Sequence, residues 1–264
     1  MDILKKELAP ITTEAWEEII ETASELFKTH LAVRKFADVE GLHGLQLGAV
    51  SRGRLNMPEN QKVKGLKYGM QQVQPLVEAR ASFSLDIWEL DNIARGAEDL
   101  DLDALEDAAK KMAEFEETTI YNGLKDANLD GLKKSSENQP ISFPEDPSKI
   151  LHAATEAVAK MKSEAVEGPY SLVVDLEKWE KISSYVEGYP LRLQLENILE
   201  GTIILAPHLQ GAFLVSERGG DFRLTLGQDL SIGYESHDQN KVQLYFTESF
   251  TFQVLDPAAI ILFK

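Results

Sequence analysis

Five histidines, three tryptophans and a large excess of carboxylates are the side chains here with chemistry to offer, so their spacing is the first question. His30, His43, His152, His208 and His237 form no HxxxH pair, and a metal cluster would need distant positions to meet. No GxSxG, GxGxxG or phosphate-cradling GxxxxGK loop occurs. The absence of cysteine removes thiolate nucleophiles, thiolate metal sites and disulfides together. Asp99, Asp101 and Asp103 imitate the start of a calcium loop, but Ala104 stands where glycine is needed and Lys110 where a bidentate glutamate closes the site. They read as helix-capping acids. Glu114, Glu116 and Glu117 lack the ExxH partner of a di-iron helix and read as a solvated helix face. Gly219-Gly220-Asp221-Phe222 reads as a tight turn between strands. Trp88 and Arg80 bracket a strand-to-helix corner, where an indole can stack on a flat ring and a guanidinium can pair with a phosphate. That pair is a candidate for holding a flavin such as FMN; core packing plus a surface charge is the plain alternative.

The elements around these residues follow from periodicity. Thr12 or Thr13 caps a helix carrying Trp16, Ile19, Ile20, Ala23, Phe27 and Leu31 on one face, and 32–39 is its extended exit. Residues 44–74, punctuated by glycines, read as a long hairpin arm, a length usually functional or held by a partner. An alternating strand through Ala79, Ala81, Phe83 and Leu85 runs into a helix starting at Ser84 or Asp86. Asp103 and Glu106 form a capping-box pattern ahead of the stripe Leu105, Ala108, Ala109, Met112, Phe115, Thr119, Ile120, which stops at Asn122-Gly123. This helix is the expected spine. Residues 124–149 read as loop, Ile150–Met161 as helix, 170–176 as a buried strand, 179–185 and 191–199 as helices around a Val186–Pro190 loop, and 202–207 and 212–216 as strands. In Lys241–Val254 the apolar side alternates strictly except at Glu248, as in a long half-buried strand. With Phe222, Leu224 and Leu226 before it and the apolar 258–263 after it, the C-terminal fifth is expected to be an antiparallel meander. Helices alternate with strands without a regular strand-helix repeat, which indicates an α+β protein.

At 264 residues and a net charge of −17, clustered phosphate binding is disfavoured, and no nucleic-acid partner is expected. The charge is uneven: six basic residues face two acidic ones between Ser51 and Arg80, while twelve acidic face three basic between Asp86 and Thr118. Those segments attract one another within or between subunits, or they are two solvated surfaces. The N-terminus has no apolar core of a secretory signal, and no run approaches the roughly 20 residues of a membrane span, so a cytoplasmic protein with no membrane partner is expected.

The ordered set GGDFRLTLGQDLSIGYESHD and LYFTESFTFQVLDPAAIIL, preceded by ELAPIT, FKTHLAVRKFADVEGLHG, PLVEARASFSLDIWELDNIARG, MAEFEETTIYNG, EGPYSLVV and GYPLR, resembles the type 1 encapsulins. These are the linocin-like nanocompartment shell proteins with the tailed-phage major capsid fold. The resemblance implies a noncatalytic protomer of a hollow icosahedral homo-oligomer. Its expected parts are an N-terminal helix and arm (1–43), an extended loop (44–74), a peripheral domain with the spine (75–135), an axial domain (136–214) and a return to the peripheral domain (215–264). It also implies that cargo enzymes dock by a C-terminal targeting peptide in a groove matched here by Phe27, Arg34, Asp38, Asp229, Leu230 and Ile232. Glu187, Gly188 and Tyr189 would line fivefold pores. Because LDIWELDN is similar to flavin-binding, iron-storing members, a ferritin-like iron oxidase is the expected cargo; the alternatives are a dye-decolourising peroxidase cargo and, behind it, a phage capsid protein or a bacteriocin- or hydrolase-type enzyme.

Overall fold

The Thr12 hydroxyl accepts the Ala15 N–H at 3.2 Å and starts helix α1 (Thr13–His30), which buries Ala15, Ile19 and Ala23. The computed structural model describes residues 3–59, 61 and 65–264, so Lys62 and Lys64 of the basic arm lie outside the described residues. The exit from α1 is not extended throughout. Val33–Lys35 makes a 3-10 turn before the short strand β1 (Asp38–Glu40), because the Phe36 and Ala37 N–H groups bond back to the Val33 carbonyl. The arm is the expected hairpin, β2 (Ala49–Asn56) against β3 (Met70–Pro75), and it leaves Leu55, Met57, Met70 and Val73 exposed. Strand β4 (Val77–Asp86) ends at Asp86, whose carboxylate accepts the Trp88 and Glu89 N–H groups and caps α2 (Ile87–Ala94). The spine α3 (Asp103–Asn122) does not form the expected capping box: Leu102 is its N-cap, with no side-chain cap bond, and the Asp101 carboxylate accepts the Asp103 N–H instead. The segment read as loop contains a short helix α4 (Gly131–Ser135).

The rest of the chain supplies α5 (Ile150–Ser163), β5 (Tyr170–Val174), α6 (Leu176–Ser184), the two-residue strands β6 (Val186–Glu187) and β7 (Tyr189–Pro190), α7 (Leu191–Leu199), β8 (Ile203–Leu205), β9 (Ala212–Ser216), β10 (Phe222–Leu226), β11 (Ser231–His237), β12 (Lys241–Val254) and β13 (Ile260–Phe263). Strand β12 organises the larger sheet. One of its edges carries β4, and the other carries β11 and then β10, each antiparallel to it, with β1 added parallel to β10. Since β10 and β11 share a partner rather than pairing with each other, the expected meander is corrected to two strands end to end beside one long strand. Neighbours on both edges also bury the hydroxyl side of β12: Thr247, Ser249 and Thr251 are as inaccessible as Phe246 and Phe250, so the strand is central, not half-buried. The second sheet runs β13-β9-β5-β8, with only β5 and β8 parallel. It takes both β9 and β13, so the expected boundary at 214/215 is displaced: the last strand returns to the α/β unit.

Two apolar cores result. One packs α1, α2 and the first half of α3 on β4, β11 and Val242–Phe246; the other gathers α5, α7 and the second sheet with Ile120, Tyr121, Phe250 and Phe252. Helix α3 and strand β12 carry fully buried residues of both, and the two cores meet at Glu116, Glu117 and Glu248, between Met112 and Ile120 on the helix and between Phe246 and Phe250 on the strand. The spine is braced at its C-terminal end by Gly131, whose φ is +68° and whose missing Cβ would lie 2.3 Å from the Gly123 nitrogen. A methyl group there meets backbone that cannot swing aside. Gly131→Ala is expected to cost about 2–4 kcal/mol, a left-handed penalty plus overpacking, read as a lowered melting temperature.

Candidate functional site

Between α1 and the start of β11 lies a groove of about 580 Å³. Phe27, Leu31, Leu230, Ile232 and Phe246 make its apolar floor and walls, while Arg34 and Asp229 stand at one polar end with Lys6, Lys28 and Lys35 around it. Helical spacing places Phe27 and Leu31 on one face of the helix end. The Phe27 ring meets Phe246 edge-on at 5.3 Å, and Phe246 stacks on Phe83 at 4.9 Å, so the floor is anchored in the sheet core. Five of the six expected docking residues, Phe27, Arg34, Asp229, Leu230 and Ile232, therefore converge from positions 200 residues apart in the chain. Asp38 does not line this groove. It opens β1, paired with Arg223, and its carboxylate accepts the Gly220 N–H at 2.6 Å, which turns it to the Gly219-Gly220 turn.

Arg34 is held by Asp229 of the expected groove and by two glutamates, Glu116 and Glu248. Its Nε and Nη2 donate to Glu116 at 3.0 and 2.6 Å, Nη2 also to Glu248 at 2.5 Å, and Nη1 to Asp229 at 2.8 Å. The side chains of Glu116 and Glu248 are 0% exposed. Beside them the Glu117 carboxylate accepts the Val33 N–H at 2.9 Å and the Tyr121 hydroxyl. Reading Glu116 and Glu117 as a solvated face is thus overturned: α3 is covered by the sheet on one side and the Val33–Lys35 turn on another. One guanidinium cannot neutralise two fully buried carboxylates while also pairing with the half-exposed Asp229. Burial, with Glu116 close by, pushes the Glu248 carboxyl well above the usual carboxylate range against the pull of Arg34, and its Oε2 has no hydrogen-bond partner. Burial lifts Glu117 to about 8, outweighing its two donors. Arg34, hydrogen-bonded to Glu116, is raised above its ordinary value despite its burial and stays charged. The interruption of the β12 alternation at Glu248 was the one sequence signal that pointed here.

Arg80 and Trp88, the expected flavin pair, make separate contacts within the chain. Arg80 lies over the Tyr245 ring at 4.9 Å and pairs with Glu78, whereas Trp88 is 67% exposed and is covered by Arg95 at 5.7 Å. Arg80 is opposite Thr247 and Asp86 opposite Lys241 on the same partner strand, which puts six residues, roughly 20 Å of strand, between the two ends. Among the described residues no group of three or more metal-ligating side chains assembles a metal centre, and no helix is long and apolar enough to cross a membrane. Glu187, Gly188 and Tyr189 form the tip of the β6–β7 hairpin, exposed at the end of the α/β unit. Gly188, the single residue between the paired Glu187 and Tyr189, has φ +74°, which glycine adopts without strain, and the Glu187 carboxylate accepts the Tyr185 hydroxyl at 2.6 Å.

A family model described as an encapsulating protein for peroxidase matches residues 1–251. The type 1 encapsulin shell protein of Mycolicibacterium paratuberculosis is 42% identical over 256 residues, covering 96% of this chain and 95% of the relative. The chain belongs to the encapsulin shell-protein family. The virus-like particle of Pyrococcus furiosus shares the fold of this encapsulin with a TM-score of 0.69 at 16% identity, over 96% of this chain and 100% of that one. The capsid protein of the tailed phage XM1 follows at 0.52 and 10% identity, over 89% and 92%. The expected capsid fold is therefore present. An encapsulin so built is structural, and its chemistry is that of a wall.

Proposed function

We propose that this encapsulin closes into a hollow icosahedral container and that its groove between α1 and β11 docks the C-terminal targeting tail of a cargo enzyme. The observation carrying this reading is the convergence of Phe27, Leu230 and Ile232 into one apolar trough with Arg34 and Asp229 fixed at its polar end. An extended peptide buries alternate apolar side chains in such a trough and ties its polar groups to the charged end. Exposed Leu55, Met57, Met70 and Val73 on the arm support self-assembly, since a neighbouring copy would take that apolar surface out of water. The β6–β7 tip, with Glu187 and Tyr189, suits the rim of a fivefold pore that admits cations or small substrates. Among cargo classes a peroxidase is favoured over a ferritin-like oxidase, because the family description names a peroxidase.

Phe27→Asp places a charge on the trough floor. Co-expressed peroxidase bearing its native tail is expected to co-purify with wild-type particles of megadalton size and to be lost from the variant, while the variant still assembles. Unchanged loading would remove the groove from this role. A wild-type chain that stays monomeric in dilute buffer would remove the container itself.

A further inference from the structure

His30 ends α1, and His208 sits in the loop between β8 and β9, 178 positions later. Nδ1 of His30 and Nε2 of His208 are 3.0 Å apart, and the two rings lie 5.0 Å centre to centre, tilted by 32°. A ring N–H···N bond needs one donor and one acceptor, so it exists with two neutral rings of complementary tautomer or with a single proton added, and never with two. The contact also has a particular place. Ala23 of the same helix belongs to the core built on the large sheet, whereas Leu209, next to His208, belongs to the core of the α/β unit. The pair therefore fastens one core to the other, beside the polar seam of Glu116, Glu117 and Glu248.

We propose that His30 and His208 form a proton-operated latch across this seam, closed while the rings are neutral and opened when acid charges both, freeing the last turn of α1 from the β8–β9 loop. The charged groups acting on the pair are Lys110 and Glu114, both from α3, and Lys110 is itself tied to Glu106 at 3.1 Å. Burial, then His208 and Lys110, hold His30 below its ordinary value; burial holds His208 below, against the pull of Glu114. Groups depressed in the folded chain contribute stability that is present above about pH 6.5 and is lost as the pH falls below it. Phe27 and Leu31, on either side of His30, line the groove, so opening the latch loosens that wall whether or not the groove receives a peptide.

Hydrogen–deuterium exchange on assembled particles at pH 7.5 and 5.5, corrected for the intrinsic rates, tests this. Each proton taken up only by the open form multiplies the opening constant by up to about tenfold per pH unit. Exchange in 26–36 and 206–211 is expected to rise about tenfold at pH 5.5, with the buried strand β5 unchanged. In H30F/H208F, which keeps two rings but cannot titrate, the acid response of those segments is expected to vanish. His208→Gln, which can still hydrogen-bond, decides the matter in the same way if the double variant does not assemble. Equal protection at both pH values in wild type, or an undiminished acid response in the variants, overturns the latch.

Discussion

Arg34→Met is expected to destabilise the chain by about 3–5 kcal/mol at neutral pH, the effect of leaving buried charge without its partner. The methionine stem keeps much of the packing of the arginine stem, so the loss reports charge rather than shape. Glu116 and Glu248, both fully buried, are the groups abandoned. For a chain of this length the loss corresponds to a fall in melting temperature on the order of 10 °C. Two further measurements separate this account from a simple packing defect. The deficit should shrink as the pH is lowered toward 5, because the abandoned carboxyls escape the penalty by taking up protons. It should also be largely repaired by the triple variant R34M/E116M/E248L, which replaces the ionic cluster with apolar groups of similar volume. If R34M melts like wild type at pH 7, the cluster is not what holds the seam. Because Arg34 also ends the groove, cargo loading should fail in the triple variant even where stability returns.

Glu117→Gln is expected to change the shape of the stability curve. The carboxyl, at about 8 when folded against an ordinary 4.5, is raised, so its contribution is fully present below about pH 4.5 and is lost as the pH rises toward 8. At roughly 1.4 kcal/mol per unit of difference, several kcal/mol are at stake across that window. Glutamine cannot ionise; its carbonyl still accepts from the Val33 N–H, and its amide can donate to the Tyr121 oxygen. Melting temperatures from pH 6.5 to 8.5, above the range of the histidine pair, should therefore fall steeply in wild type and distinctly less in Glu117→Gln, with the residual slope due to Glu248, which shifts in the same direction. Parallel curves for the two proteins would show that Glu117 is ionised in the folded chain throughout. The wild-type curve then reflects opposing slopes, carboxyls below the groove favouring acid and the His30–His208 pair disfavouring it, with best stability near where they balance.

Much of the architecture was legible in the residues because it follows from local periodicity. The 3.6-residue stripe of α3, the alternation of β4 and β12 and the glycine-punctuated arm each state which face is apolar, and burial of that face specifies the element whatever lies opposite. The ordered set of motifs likewise marked the encapsulin family, and with it five residues that meet in the groove. What local pattern does not contain is the identity of the opposite wall. Glu116 looks the same in sequence whether it faces water or Arg34, 82 positions away. Pairing of β13 with β9, burial of the hydroxyl side of β12 and the contact of His30 with His208 were likewise decided by tertiary structure. Sequence determines what each side chain can tolerate; only the closed chain determines which charges are removed from water together, and the energy of a buried charge depends on that company more than on its own type.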